Sequence, residues 1–143
     1  LYWTLGENGE RPHQEKSSSK MRDEEWATQT CIYGWPVRGI WPEGADGTDI
    51  NACCRSNNGS YIPGFIGSDG KKKHWTGLMA TSDDFGKVKL FRYPCIVPYA
   101  DHKPYSGHSS HVTNVAFAYN DEWVISTGGE DVALFQWEVI RER

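Results

Sequence analysis

Apolar and polar residues alternate in short runs along this chain, and glycine-rich turns separate the runs. The pattern predicts strands near 49–55, 77–82, 87–93, 112–118, 123–127 and 132–139. The third run of each set is nearly repeated: Val88-Lys-Leu-Phe-Arg-Tyr93 overlays Val132-Ala-Leu-Phe-Gln-Trp137 at an offset of 44 residues. Self-similarity at that period, with no long helical segment between the copies, is the mark of a radial β architecture built from repeated sheets. Residues 1–5, Leu-Tyr-Trp-Thr-Leu, read as the end of one more such strand.

The final copy carries chemistry at fixed places. A Gly107-His108 pair precedes Val112, Val115 and Phe117 at strand spacing, a Gly128-Gly129 turn follows, and Asp131 and Trp137 close the unit. This is the spacing of one blade of a WD-repeat β-propeller, although the usual Trp-Asp ending is here Trp137-Glu138. Such spacing predicts a buried hydrogen-bond chain running through His108, a hydroxyl from Ser126 or Thr127, Asp131 and the Trp137 N–H. Full pairing matters there, because an unsatisfied polar group in a dry interior is costly.

The expected fold class is therefore all-β, a partial arc of a WD-repeat propeller holding about two blades and the strand end of a third. Propellers close with roughly four to eight blades, and 143 residues supply only about three periods. The chain is expected to be a piece of a larger protein, its last sheet completed by a strand from elsewhere in the polypeptide. Residues 1–5 end a preceding blade, and 6–25 read as a flexible polar loop. Residues 26–95 form one blade with a preceding outer strand at 26–33, an ordered Gly- and Pro-rich linker at 34–48 and an insertion at 57–76; residues 96–143 form the final blade.

Composition narrows the function classes. A formal net charge of −4 lacks the basic balance that nucleic-acid binding needs. There is no apolar run of the length a membrane helix requires, so neither nucleic acid nor membrane is an expected partner. Cys31, Cys53, Cys54 and Cys95 show no C-x-x-C spacing and read as reduced, mostly buried residues. Adjacent Cys53 and Cys54 on a strand point to opposite faces.

Four long motifs make the reading more specific: Trp26-Ala-Thr-Gln-Thr-Cys31, Gly39-Ile-Trp-Pro-Glu-Gly-Ala-Asp-Gly-Thr-Asp-Ile-Asn51, Asp83-Asp-Phe-Gly-Lys-Val-Lys-Leu-Phe-Arg-Tyr-Pro-Cys95 and Tyr105-Ser-Gly-His-Ser-Ser-His-Val-Thr-Asn-Val115. Together they resemble the echinoderm microtubule-associated protein-like family, at the C-terminal end of its second propeller. The resemblance covers about 26–56 and 77–140, and it implies tandem propellers that bind tubulin and microtubules. By that resemblance the protein is a non-enzymatic scaffold of the cytoplasmic microtubule cytoskeleton or the ciliary axoneme, beside other microtubule-associated or axonemal proteins. A WD-repeat adaptor that recruits other partners without touching microtubules is the alternative. The segment 58–75 departs from the family, which usually has a short hairpin there.

Other candidate sites read as structural. His108, His111 and Asp131 lack further ligands at metal spacing, and Ser109, Ser110, His111 and Asp121 stand in no nucleophile motif. Asp84-Phe85-Gly86 has no phosphate loop to accompany it and reads as a turn. No enzyme activity, metal or cofactor is expected, and the Asn58-Gly-Ser sequon reads as unused. The one concentrated basic patch is Lys71-Lys72-Lys73-His74 followed by Trp75, a candidate contact for an acidic partner or else a solubilising loop tip. Trp26, Trp35 and Trp41 read as packing between blades.

Overall fold

In a computed structural model, the described residues are 2–6, 10–21, 34–57 and 77–140. They are almost entirely β. Strand β1 (Trp3–Thr4) pairs antiparallel with β2 (His13–Gln14). A four-stranded antiparallel sheet follows in the order β3 (Ile50–Arg55), β4 (Gly77–Asp83), β5 (Lys87–Tyr93) and β6 (His102–Ser106). A three-stranded sheet holds β7 (Val112–Phe117), β8 (Trp123–Gly128) and β9 (Leu134–Glu138). The two larger sheets stack face to face as consecutive blades of a propeller.

Alternation makes the core. On one face of the four-stranded sheet Met79, Phe91 and Tyr93 pack with Cys95, Val37 and Ile40. On the other, Ala80 and Val88 meet Val112, Val115, Phe117 and Val124 of the next sheet. Cys53 lies against the first cluster and Cys54 against the second, as the period of two along a strand requires. Burial pushes the Cys95 thiol up to about 11, so it behaves as a small apolar side chain.

Three boundaries differ from the sequence reading. The stretch read as a polar loop contains β2 and a 3-10 turn at Ser18–Met21. Two-residue strands bury no apolar face, so alternation gives no sign of them. The 34–48 linker contains a 3-10 helix, Trp35–Ile40, whose Val37 and Ile40 enter the core. Residues His102–Ser106, assigned with the final blade, are the outer strand of the preceding sheet, with Phe91 opposite His102 and Lys87 opposite Ser106. All five residues of β6 are exposed, so no buried apolar face marks the strand in the sequence, and it is held by the backbone ladder with contacts such as Phe91 against the His102 ring at 5.0 Å.

The outer edge of β6 is blunted. Pro104 cannot donate to a further strand and Lys103 is costly to cover, which are common guards against unwanted pairing. The outer strand expected at 26–33 and the insertion at 58–76 lie outside the described residues, as do Trp26 and Cys31.

Candidate functional site

A polar chain runs through the final sheet. Trp137 lies on β9 and Ser126 on β8 one register step away, since Ser126 faces Phe135 and Val124 faces Trp137. The Trp137 indole Nε1–H donates to Ser126 Oγ at 2.8 Å. Ser126 Oγ is 2.8 Å from His108 Nε2, and His108 Nδ1 is 2.8 Å from Asp131 Oδ2. Because the Asp131 carboxylate can only accept, the neutral imidazole is assigned its hydrogen at Nδ1, and the Ser126 hydroxyl, accepting from the indole, donates to Nε2. Donors and acceptors then run in one direction, and each interior polar atom is used.

The turn residues hold the far end of this chain. Asp131 Oδ2 accepts the Ser109 backbone N–H at 3.2 Å, and Asp131 Oδ1 accepts that of Ala133 at 3.3 Å. Gly128 makes room, because a Cβ there would sit 1.7 Å from Asp131 Oδ1. Phe135 meets the His108 ring edge-on at 4.6 Å between centroids and closes it from above.

Thr127, the other hydroxyl considered, points elsewhere. Its Oγ1 pairs with Thr113 Oγ1 across the strands at 3.0 Å. Facing residues alternate along a strand, so only one of Ser126 and Thr127 reaches the histidine. The spacing in sequence leaves that choice open; the β7–β8 register decides it.

Serine, histidine and aspartate in this order resemble a hydrolase triad, but the chemistry differs. Ser126 is fully buried and its oxygen already accepts the indole N–H. A nucleophile needs a path to substrate; this hydroxyl is fully buried under its own blade, and the arrangement braces the sheet. Ser109, Ser110 and His111 lie before β7, and Asp121 lies in the β7–β8 turn at the other end of the sheet, so they form no nucleophile set. His111 Nδ1 pairs with Asp84 Oδ1 at 3.0 Å, while Asp121 accepts from Asn57. Among the described residues no three His, Cys, Asp or Glu side chains are grouped to hold a metal ion.

The preceding blade solves the same place differently. Phe91 faces Met79, as Phe135 faces Ser126, so a fully buried methionine stands where the final blade has its serine. Tyr93 replaces Trp137 in the repeat and carries Arg55 over its ring at 5.5 Å. One blade is held by apolar packing, the next by a polar chain.

Two polar clasps with no trace in the local sequence pattern join the sheets. At one end Asn51 Nδ2 donates to Asp84 Oδ1 at 2.8 Å and to Val112 O at 3.0 Å, beside the His111 contact. At the other end the Asn57 backbone N–H donates to Asp121 Oδ1 at 2.7 Å, and Asn57 Nδ2 reaches Ala118 O at 2.9 Å. The apolar interface lies between them. Asp84-Phe85-Gly86 forms the β4–β5 turn, pinned by Asp83 Oδ1 accepting from Phe85 N and Lys87 N. The other Asp83 oxygen lies 2.9 Å from Lys89 Nζ. Trp41 packs on the first core cluster, and Arg38 stacks over Trp35 at 5.1 Å. Lys71, Lys72, Lys73, His74 and Trp75 lie outside the described residues.

The carboxylates predict an acid limb of stability. Burial raises the Asp131 pKa, but hydrogen bonds from His108, Ala133 and Ser109 outweigh it and leave the group below the ordinary 3.8. Asp84 is also lowered, first by Asn51 and then by His111. A depressed folded pKa contributes stability above the unfolded value and loses it as pH falls through the folded value. The thermal midpoint of the intact protein should hold from neutrality to about pH 5 and fall below about pH 4. Asp131→Asn should flatten that fall; an unchanged acid limb in the variant would exclude Asp131 as a contributor.

Comparison with known proteins places this geometry. Residues 1–139 match the model of the echinoderm microtubule-associated protein second β-propeller. The chain is 47% identical over 139 residues to echinoderm microtubule-associated protein-like 2 of Rattus norvegicus, covering 97% of this chain and 18% of that protein. It is 46% identical over 140 residues to the 77 kDa echinoderm microtubule-associated protein of Lytechinus variegatus, covering 98% and 18%. Against echinoderm microtubule-associated protein-like 1 of Rattus norvegicus it is 51% identical over 124 residues, covering 87% and 13%. The chain thus spans less than a fifth of the length of these relatives. With its stacked antiparallel blades and a match across nearly its whole length, the chain belongs to the echinoderm microtubule-associated protein family, within the second β-propeller.

Proposed function

We propose that this chain is a section of a non-enzymatic, microtubule-associated scaffold whose propellers form a rigid platform on tubulin. The observation that carries the reading is the near-complete match to a propeller of proteins named for microtubule association. The braced geometry supports it. A propeller with internal polar chains and clasped sheets suits holding partners in fixed relation, and its interior serine is closed to substrate. The proposed setting is the cytoplasmic microtubule cytoskeleton, with the ciliary axoneme included, and the proposed neighbours are other microtubule-associated or axonemal proteins.

Co-sedimentation of the intact protein with taxane-stabilised microtubules tests this reading, with and without subtilisin removal of the acidic tubulin tails. Pelleting with the polymer is the expected result. Failure to pellet would leave the adaptor reading, in which the propeller recruits other proteins. Replacing Lys71, Lys72 and Lys73 together by glutamate should weaken binding and flatten its salt dependence, because fewer favourable charge pairs remain to be screened. Unchanged sedimentation of that variant across a salt series would remove the lysines from the contact.

A further inference from the structure

The two ends of the stacked sheets differ in chemistry. One end gathers the approach to β3, the β4–β5 turn, the loop before β7 and the β8–β9 turn. Residues 46–49, 84–87, 107–111 and 129–133 carry five carboxylates, Asp46, Asp49, Asp84, Glu130 and Asp131, against one lysine, Lys87. The opposite end carries the β5–β6 loop and the β7–β8 turn, and Asn57 and Gly77, which bracket the insertion, lie there too. Around that loop the balance reverses. Residues 35–41 and 92–103 carry Arg38, Arg92 and Lys103 against Asp101, while the β7–β8 turn adds exposed Glu122 and a buried Asp121 that accepts from Asn57.

The β5–β6 loop is apolar, exposed and held still. Ile96, Val97 and Tyr99 are 45%, 66% and 62% exposed. Their backbone is fastened to the 3-10 helix on both sides: Cys95 N–H donates to Pro36 O at 2.6 Å, Gly39 N–H to Cys95 O at 2.8 Å and Ala100 N–H to Gly39 O at 3.0 Å. Tyr99 is kept at φ 55, a region that non-glycine residues seldom occupy. Arg38, on the fastening helix, is fixed by its stack on Trp35. Three hydrogen bonds and a strained residue set apolar side chains facing water. Such preorganisation removes much of the ordering cost of association.

We infer that Ile96, Val97 and Tyr99, with Arg38 beside them, form a preformed docking ridge for an acidic protein surface, and that this end of the propeller faces the microtubule. The inference rests on the reading under Proposed function and adds the orientation. Charge selects the partner: the cationic surround of the ridge attracts an acidic lattice, which the carboxylate-rich opposite end repels. Tyrosine with neighbouring arginine is also the composition of interface hot spots.

The test uses the intact protein and taxane-stabilised microtubules, with three variants. Val97→Asp combined with Tyr99→Asn should weaken co-sedimentation by about tenfold or more, with no change in melting temperature, since both side chains lie outside the core. Arg38→Glu should weaken binding and reduce its salt dependence. Phe85→Ala removes an equally exposed aromatic at the opposite end, 68% exposed, and should stay within about twofold of the wild type. Should the double variant melt early, Arg38→Glu decides alone, because Arg38 is an exposed side chain outside the core. Wild-type affinity in both ridge variants, or loss confined to Phe85→Ala, overturns the orientation while leaving microtubule association intact. Absence of binding by the wild-type protein overturns both.

Discussion

Replacing His108 by alanine is expected to destabilise the intact protein by on the order of 3 kcal/mol, through a stranded Ser126 hydroxyl and a void beneath Phe135. Both partners are placed to feel the loss: Ser126 is fully buried and Phe135 meets the imidazole edge-on. Trp137→Phe keeps the ring but deletes the N–H that Ser126 accepts at 2.8 Å, at a cost of about 1 to 3 kcal/mol. The two changes share Ser126, so the double variant should lose less than the sum. Urea denaturation of the four proteins measures the coupling. Additive losses would mean that the hydrogen bonds do not act as one network. The preceding blade supplies the contrast, because its equivalent interior is Met79 and Tyr93, whose replacement should cost apolar packing without polar coupling.

Gly39→Ala is the second change expected to have a large effect. A Cβ at this position would lie 2.3 Å from Val97 O and 2.9 Å from Cys95 O, both backbone atoms that a rotamer change cannot move. The helix and the loop must separate, and overpacking of this kind costs about 1 to 3 kcal/mol. The three backbone hydrogen bonds of the clamp should open together. Hydrogen exchange at the Cys95 and Ala100 amides would then rise by far more than at β8, which the clamp does not touch. Retained protection at those amides would show that the loop is held by something other than the Gly39 contact. An alanine at Gly44 is a useful comparison, since a Cβ there meets nothing within 4 Å and acts only through its φ of 76.

The sequence by itself determined the periodic part of this protein. Alternation places β3, β4, β5, β7, β8 and β9 because each buries one face or both, and burial every second residue leaves a readable trace. The 44-residue offset marked the blade repeat for the same reason. Histidine, serine, aspartate and tryptophan at blade spacing marked the polar chain, since each residue type supplies a donor or acceptor that its neighbours cannot.

Tertiary structure decided what local pattern does not encode. It chose Ser126 over Thr127 through strand register, and it moved His102–Ser106 to the preceding sheet, because a strand with no buried residue leaves no apolar alternation to read. It brought Asn57 to Asp121, 64 residues apart, and Asn51 to Val112, 61 apart. Single asparagines and aspartates carry no period, so such clasps become visible only when two sheets meet. The difference between the two ends of the stack has the same origin. Charge spread over four separate segments becomes a surface only after the turns are gathered at one end of the sheets.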